Sequence, residues 1–303
     1  MTARTAGGTL LREMSESAVR KITVVGVGLL GGSVGLAVKA AEEGARVVGV
    51  GRRQSSLERA LSAGAIDEAT LDVAKGVAGA EMVVLATPLG MYEDHLLAMK
   101  PALSDGAIVT DVGSTKSLVV RIAEGVLGRG GPFVGSHPMA GGERKGVEFA
   151  RADLFEGATC ILTPTRNTPP AVAGKVERFW RHLGGVTVRM TPAAHDRAVA
   201  RVSHLPHALA AIIVAVQGAG HLDLAGTGFL DTTRIASGDP GMWREILLTN
   251  RKAVLAAIDA ADEHLMRLRD VLEAGDGGEI ERYLKRAKDR RDKLVAERLR
   301  RRE

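Results

Sequence analysis

The chain has 303 residues, long enough for two domains that each bury a core. A net charge of +5 and an aromatic content of only 3% argue against a nucleic-acid binder that stacks bases. The lone cysteine, Cys160, excludes an internal disulfide and a cysteine-based metal site, and its place in the apolar run Thr159–Leu162 reads as a small buried hydrophobe.

Residues 1–20 hold no continuous apolar core, so they read as a flexible lead-in rather than a secretory signal. No run is expected to reach the length of a membrane span, and a cytoplasmic enzyme without membrane or nucleic-acid partners is the default. The first half then alternates short apolar runs with helical patterns. Strands are expected at Ile22–Val25, Arg46–Val50, Met82–Ala86, Ala107–Asp111, Phe133–Gly135, Thr159–Leu162 and Val186–Met190. Helices are expected between them at Ser56–Ala63, Met91–Met99, Lys116–Val126 and Ala171–Leu183. Nearly all-apolar strands separated by helices predict a parallel sheet covered on both faces. From Thr191 strand signals vanish and long helical periodicities take over, at Ala193–Gln217, Pro240–Ala274 and Glu279–Arg300. The expected fold class is therefore α/β: a Rossmann-like, doubly wound domain over residues 21–190, followed by an all-helical domain over 191–303. The basic run Lys285–Arg302 is interleaved with Asp289, Asp292 and Glu297 and reads as a solvated helical face with a frayed end.

The first strand runs directly into Gly26-x-Gly28-x-x-Gly31 and then a helix, the context that makes a glycine pattern a dinucleotide site. Gly26 permits the tight turn, Gly28 lets a pyrophosphate approach the backbone, and Gly31 lets the helix pack on the strand. The free N–H groups around Leu29 and Leu30 then face the phosphates. About twenty positions later, where a carboxylate would hold the ribose of NAD, the chain carries Gly51 followed by Arg52 and Arg53. Two guanidiniums without a repelling carboxylate favour NADP over NAD, the alternative being exposed arginines with the adenine stacked on one of them.

Ligands of such folds bind at the carboxyl edge of the sheet. There the sequence places Thr87 and Pro88, then Ser114, then His137 in a loop after the Phe133 strand. His137 could act as a general base on an alcohol that loses hydride. In the helical half, His204 and His207 are three apart and could share a face, with Pro206 expected to kink the helix. No third ligand of metal-site spacing accompanies them. Arg234 could fork onto a substrate carboxylate or merely pair with Asp231, and spacing does not choose between the two.

Six segments together carry a family resemblance: Val25–Ser33, Asp111–Lys116, Gly135–Gly141, Ser203–His207, Asp231–Ala236 and Asp239–Trp243. Their order and content resemble the prephenate/arogenate dehydrogenases of tyrosine biosynthesis, over about residues 21 to 290. The His-Pro-Met-Ala-Gly, His-Leu-Pro-His and Thr-Arg-Ile-Ala segments are the specific ones. The resemblance implies oxidative decarboxylation of a cyclohexadienol with hydride transfer to NAD(P). It implies that His137 takes the hydroxyl proton, that Ser114 orients the hydroxyl or the histidine, and that Arg234 and His204 hold the substrate. It also implies that Asp231 shapes access to the cleft and that the helical half forms a homodimer. The rivals are a two-domain imine or β-hydroxyacid reductase and a redox sensor that binds the nucleotide without turnover.

Overall fold

Among the described residues eight strands, most of them formed by short apolar runs, join one sheet in the order β3-β2-β1-β4-β5-β6-β7-β8. The strands are β1 (Lys21–Val25), β2 (Arg46–Val50), β3 (Glu68–Thr70), β4 (Met82–Leu85), β5 (Ile108–Asp111), β6 (Phe133–Pro138), β7 (Thr159–Thr163) and β8 (Val186–Arg189). The computed structural model describes residues 20–300 except 143 and 219 and the side chain of residue 298, so nearly all of the expected N-terminal lead-in lies outside the described residues.

The order reverses at β1, which lies between β2 and β4, and this switch point opens the crevice where such folds take ligands. Helices α1 (Leu29–Ala41), α2 (Gln54–Ser62), α3 (Val73–Val77), α4 (Tyr92–Met99), α5 (Ser117–Leu127) and α6 (Pro170–His182) flank the sheet. One core packs Val34 and Val38 of α1 and Leu57 of α2 with Phe179 and Trp180 of α6 against Ile22, Val24 and Leu162. The other packs Tyr92, Leu96 and Met99 of α4 and Val119 and Ala123 of α5 against Val25, Val83 and Val109. Two separate cores on the two faces explain why the strands carry almost no polar alternation.

The sheet departs from the expected one in two places. The short edge strand β3 and helix α3 were not predicted, because Glu68–Thr70 has no apolar run to betray it. Strands β6 and β7 are antiparallel, with His137 opposite Ile161. The β6 strand also runs three residues past its predicted end, so His137 sits in a strand and not in a loop.

After Arg189 every described element is helical: α7 (Pro192–Val199), a π-turn (Ala200–His204), α8 (Leu205–Ala215), α9 (Thr227–Thr233), α10 (Pro240–Thr249), α11 (Arg251–Ala274) and α12 (Gly277–Arg300). The expected Pro240–Ala274 helix breaks at Asn250. Where a kink was expected at Pro206, the chain widens into the π-turn just before it, and this local widening accommodates the proline that follows. The expectation that no run reaches a membrane span is corrected: the continuous helix Pro192–Ala215 has the length and contains an 18-residue stretch with a mean hydropathy of 1.5. It nevertheless carries His195, Asp196 and His204, all buried, and these anchor it to the sheet domain and to the other helices.

Candidate active site

The glycine turn is built by close approach. Gly26 has φ +100°, and a Cβ there would lie 2.6 Å from the Ala86 carbonyl oxygen. A Cβ on Gly31 would lie 2.0 Å from the Gly26 carbonyl oxygen, so α1 can pack this close only without a side chain. Gly28 differs, because a Cβ there would meet nothing within 4 Å. It is the N-cap of α1, which has no side-chain cap and no acidic residue in its first turn, leaving the N–H groups near Leu29 and Leu30 for an anion. Thr87 Oγ1, just past β4, is buried without a hydrogen-bond partner among the described residues. Open space at Gly28, an uncapped helix start and an orphaned hydroxyl together fit a dinucleotide. Pro88, Arg52 and Arg53 are exposed at the same edge.

His137 is buried at the end of β6. Its Nδ1 lies 2.8 Å from His195 Nε2 on α7, and His195 Nδ1 lies 2.9 Å from Asp196 Oδ1. Asp196 is clamped in turn at the start of α5. Its Oδ1 accepts the Lys116 N–H and its Oδ2 accepts the Ser117 N–H, both at 2.8 Å. Burial opposes its charge, but these donors and His195 hold the carboxyl down at about 2. The His137 imidazole is pushed well below its ordinary range, first by burial and then by the neighbouring His195, Lys116 and His204. His195 is lowered as well, again mainly by burial.

A second branch starts from the same residue. Asn250 Nδ2 donates to the Asp196 backbone carbonyl at 2.8 Å and lies 3.1 Å from His204 Nδ1. His204 is buried and lowered to about 4 by desolvation. Its ring meets Trp243 of α10 edge-on, while His207 stacks flat on the same indole at 3.5 Å, so the two histidines do share a face. Beneath His137, Lys116 pairs with Asp111 in full burial and donates to the Ser136 carbonyl at 2.7 Å.

Ser114 is half-buried in the loop between β5 and α5, two residues before Lys116. Because His137 Nδ1 is taken by His195, orientation of that ring through Nδ1 falls to α7 and not to Ser114. Asp231 and Arg234 are exposed, at α9 and the short turn after it. The structure thus joins His137 and His204 through one buried network, whose middle members, His195, Asp196 and Asn250, went unread in the sequence. A signal was present: His195 and Asp196 are adjacent polar residues in the expected helix Ala193–Gln217, just ahead of its strongly apolar part.

Two family models match the chain in succession: the nucleotide-binding domain of prephenate dehydrogenase over residues 34–189 and its dimerization domain over residues 191–286. The chain belongs to the prephenate dehydrogenase family. It is 36% identical to prephenate dehydrogenase of Bacillus subtilis, over 90% of this chain and 76% of the relative. The structure of the Aquifex aeolicus prephenate dehydrogenase in complex with hydroxyphenyl propionate and NAD+ superposes with a TM-score of 0.85 at 34% identity, covering 91% of this chain and 98% of that one. Arogenate dehydrogenase of Synechocystis gives a TM-score of 0.79 at 33% identity, over 90% and 99%. Membership makes the chain an NAD(P)-dependent dehydrogenase of the prephenate/arogenate type and removes the reductase and redox-sensor rivals.

Proposed function

We propose that this enzyme oxidises prephenate, with His137 as the general base and Arg234 and His204 as the groups that hold the substrate. The observation that carries the reading is His137 itself: a buried, neutral imidazole at the carboxyl edge of the sheet, tied through its Nδ1 to the helical domain. A bound nicotinamide supplies the acceptor for hydride from the carbinol carbon. His137 takes the hydroxyl proton as carbonyl character grows on that carbon, and carbon dioxide leaves the opposite ring carbon as the ring becomes aromatic. Ser114 orients the hydroxyl, and Asp231 shapes the entrance to the cleft. Both buried carboxylates near His137 are filled with protein donors: Asp111 by Lys116, Ser136 and Gly113, and Asp196 by Lys116, Ser117 and His195. Neither is left for an ammonium, which favours the keto acid over arogenate. A rate comparison pairing prephenate and arogenate with NADP and NAD tests the whole assignment. Turnover of neither substrate would overturn it.

We infer that NADP is the preferred partner. Arg52 and Arg53 stand at the end of β2, where a carboxylate would otherwise hold the ribose. His95 of α4 is half-buried, has no partner at Nε2 among the described residues, and is pushed down by burial and, more weakly, by Arg52. Arg52→Asp is expected to weaken NADP binding about ten- to a hundredfold, the worth of a charge-assisted bond, and to spare NAD. Unchanged NADP affinity by titration would return Arg52 to an exposed surface role.

Gly28→Ala separates binding from folding. The added methyl enters open space, so thermal stability should hold while affinity for either dinucleotide falls at least tenfold. Unaltered affinity would place the pyrophosphate elsewhere.

The chain acts as a homodimer through residues 191–303, taken as one domain with its boundary near residue 190. Helix α8 buries only His207 and Ala210 and leaves Ile212 half-exposed, and Leu230, Leu248 and Leu255 on the three helices that follow are more than half-exposed. The small core of Ala200, Val254 and Ala257 is too slight for a domain of this size. A second copy of this surface suits the apolar residues better than lipid, because the same long helix carries buried His195, Asp196 and His204. Light scattering should return twice the chain mass of 31.9 kDa. A monomer at micromolar concentration would refute it.

A further inference from the structure

Asp196 sits at the root of both branches of the buried network, and the two branches leave it through different atoms. Its side chain accepts two backbone N–H groups at the start of α5, so it offers His195 only lone pairs. His195 must therefore carry its proton on Nδ1, the atom 2.9 Å from Asp196 Oδ1. That leaves His195 Nε2 bare, and the atom 2.8 Å away, His137 Nδ1, must donate to it. His137 then has its proton on Nδ1 and a bare lone pair on Nε2. The second branch runs the other way. The Asp196 backbone carbonyl can only accept, so the Asn250 atom facing it is the amide nitrogen. The same nitrogen faces His204 Nδ1, which must accept, so His204 carries its proton on Nε2.

We propose that Asp196 is the common positioning residue of this site, fixing opposite tautomers on its two histidines: His137 as a proton acceptor at Nε2 and His204 as a donor at Nε2. The assignment deepens the reading of His137 as base, on which it rests. A base must present a lone pair to the hydroxyl it deprotonates, and a group that holds a carboxylate must present a hydrogen. The imidazoles are chemically identical and both are neutral when buried here, so their different duties must come from what lies behind each ring. His195 and Asn250 are the two intermediaries. Neither needs to touch substrate.

The test is nitrogen NMR of the uniformly labelled enzyme without substrate, which distinguishes a bare ring nitrogen from a protonated one. His137 should show a protonated Nδ1 and a bare Nε2, and His204 the reverse. The opposite state at either ring would overturn the proposal, and this measurement needs no variant to fold. His195→Gln supplies the conservative check, because its amide oxygen can accept from His137 while its nitrogen donates to Asp196. It should keep the His137 signature and hold kcat within about tenfold of the parent. His195→Phe removes the acceptor. It should blur the His137 signature and lower kcat about a hundredfold or more with little change in KM, in line with the cost of a wrongly held imidazole. An unchanged tautomer and kcat in that variant would sink the idea. Correct tautomers in an enzyme that turns over neither substrate would instead fault the functional reading and leave the positioning intact.

Discussion

Replacing His137 with alanine is expected to lower kcat and kcat/KM together, by about 10²–10⁴-fold, with KM nearly unchanged. In the proposed reaction the proton this ring accepts moves only as hydride departs, so the interaction belongs to the transition state and its loss appears in turnover. The pH profile gives an independent reading. Burial, then the neighbouring His195, Lys116 and His204, push the His137 imidazole well below its ordinary 6.5, against the pull of Asp196. The neutral ring is the working form, so activity persists from alkaline pH down past 6.5 and fails only well into the acid range. The same depression affects stability. A histidine held below its unfolded value stays neutral in the fold while the unfolded chain binds a proton, so stability falls as pH drops below about 6.5. His204, lowered to about 4, contributes about 3 kcal/mol of that loss once pH reaches its folded value. Near-normal turnover in the alanine variant, or an acid limb at 6.5 in kcat/KM of the parent, would remove His137 from the reaction.

Much of the nucleotide-binding half is legible in the sequence because it is dictated locally. An apolar strand ending in Gly26 and an uncapped helix start after Gly28 need only neighbouring residues to declare themselves. Strand β3 and the antiparallel β6–β7 pairing were not legible, since a three-residue polar edge strand and the direction of a neighbour depend on partners far along the chain. The site divides in the same way. His137 and His204 stand in recognisable segments, but His195 touches His137 across 58 residues and Asn250 meets His204 across 46. No periodicity encodes such pairs. Asn250 is also where a predicted single helix breaks, and its side chain enters the network from the bend between α10 and α11.

Lys116→Met is expected to cost about 3–5 kcal/mol of stability, the penalty for stranding a buried charge. Lys116 and Asp111 are both fully buried and paired, and the Lys116 ammonium also donates to the Ser136 carbonyl. Asp111 spends its other capacity on the N–H groups of Ser136, at 2.9 Å, and Gly113, at 2.8 Å. Methionine fills a similar volume, so the loss would come from the carboxylate left without its counter-ion and not from a cavity. Removing both charges is a different experiment. Asp111→Asn combined with Lys116→Met should recover at least half of the loss, because a buried pair repays its desolvation only marginally while a lone buried charge repays nothing. Urea denaturation of the parent, both single variants and the double variant would give the coupling directly. A loss under about 1 kcal/mol in Lys116→Met would mean that water reaches Asp111. The pair lies between the loop bearing Ser114 and the Ser136 carbonyl that precedes His137, so its net worth lies in register: it fixes the end of β6 against the loop after β5. The double variant should therefore fold well and still turn over more slowly than the parent, with the loss in kcat.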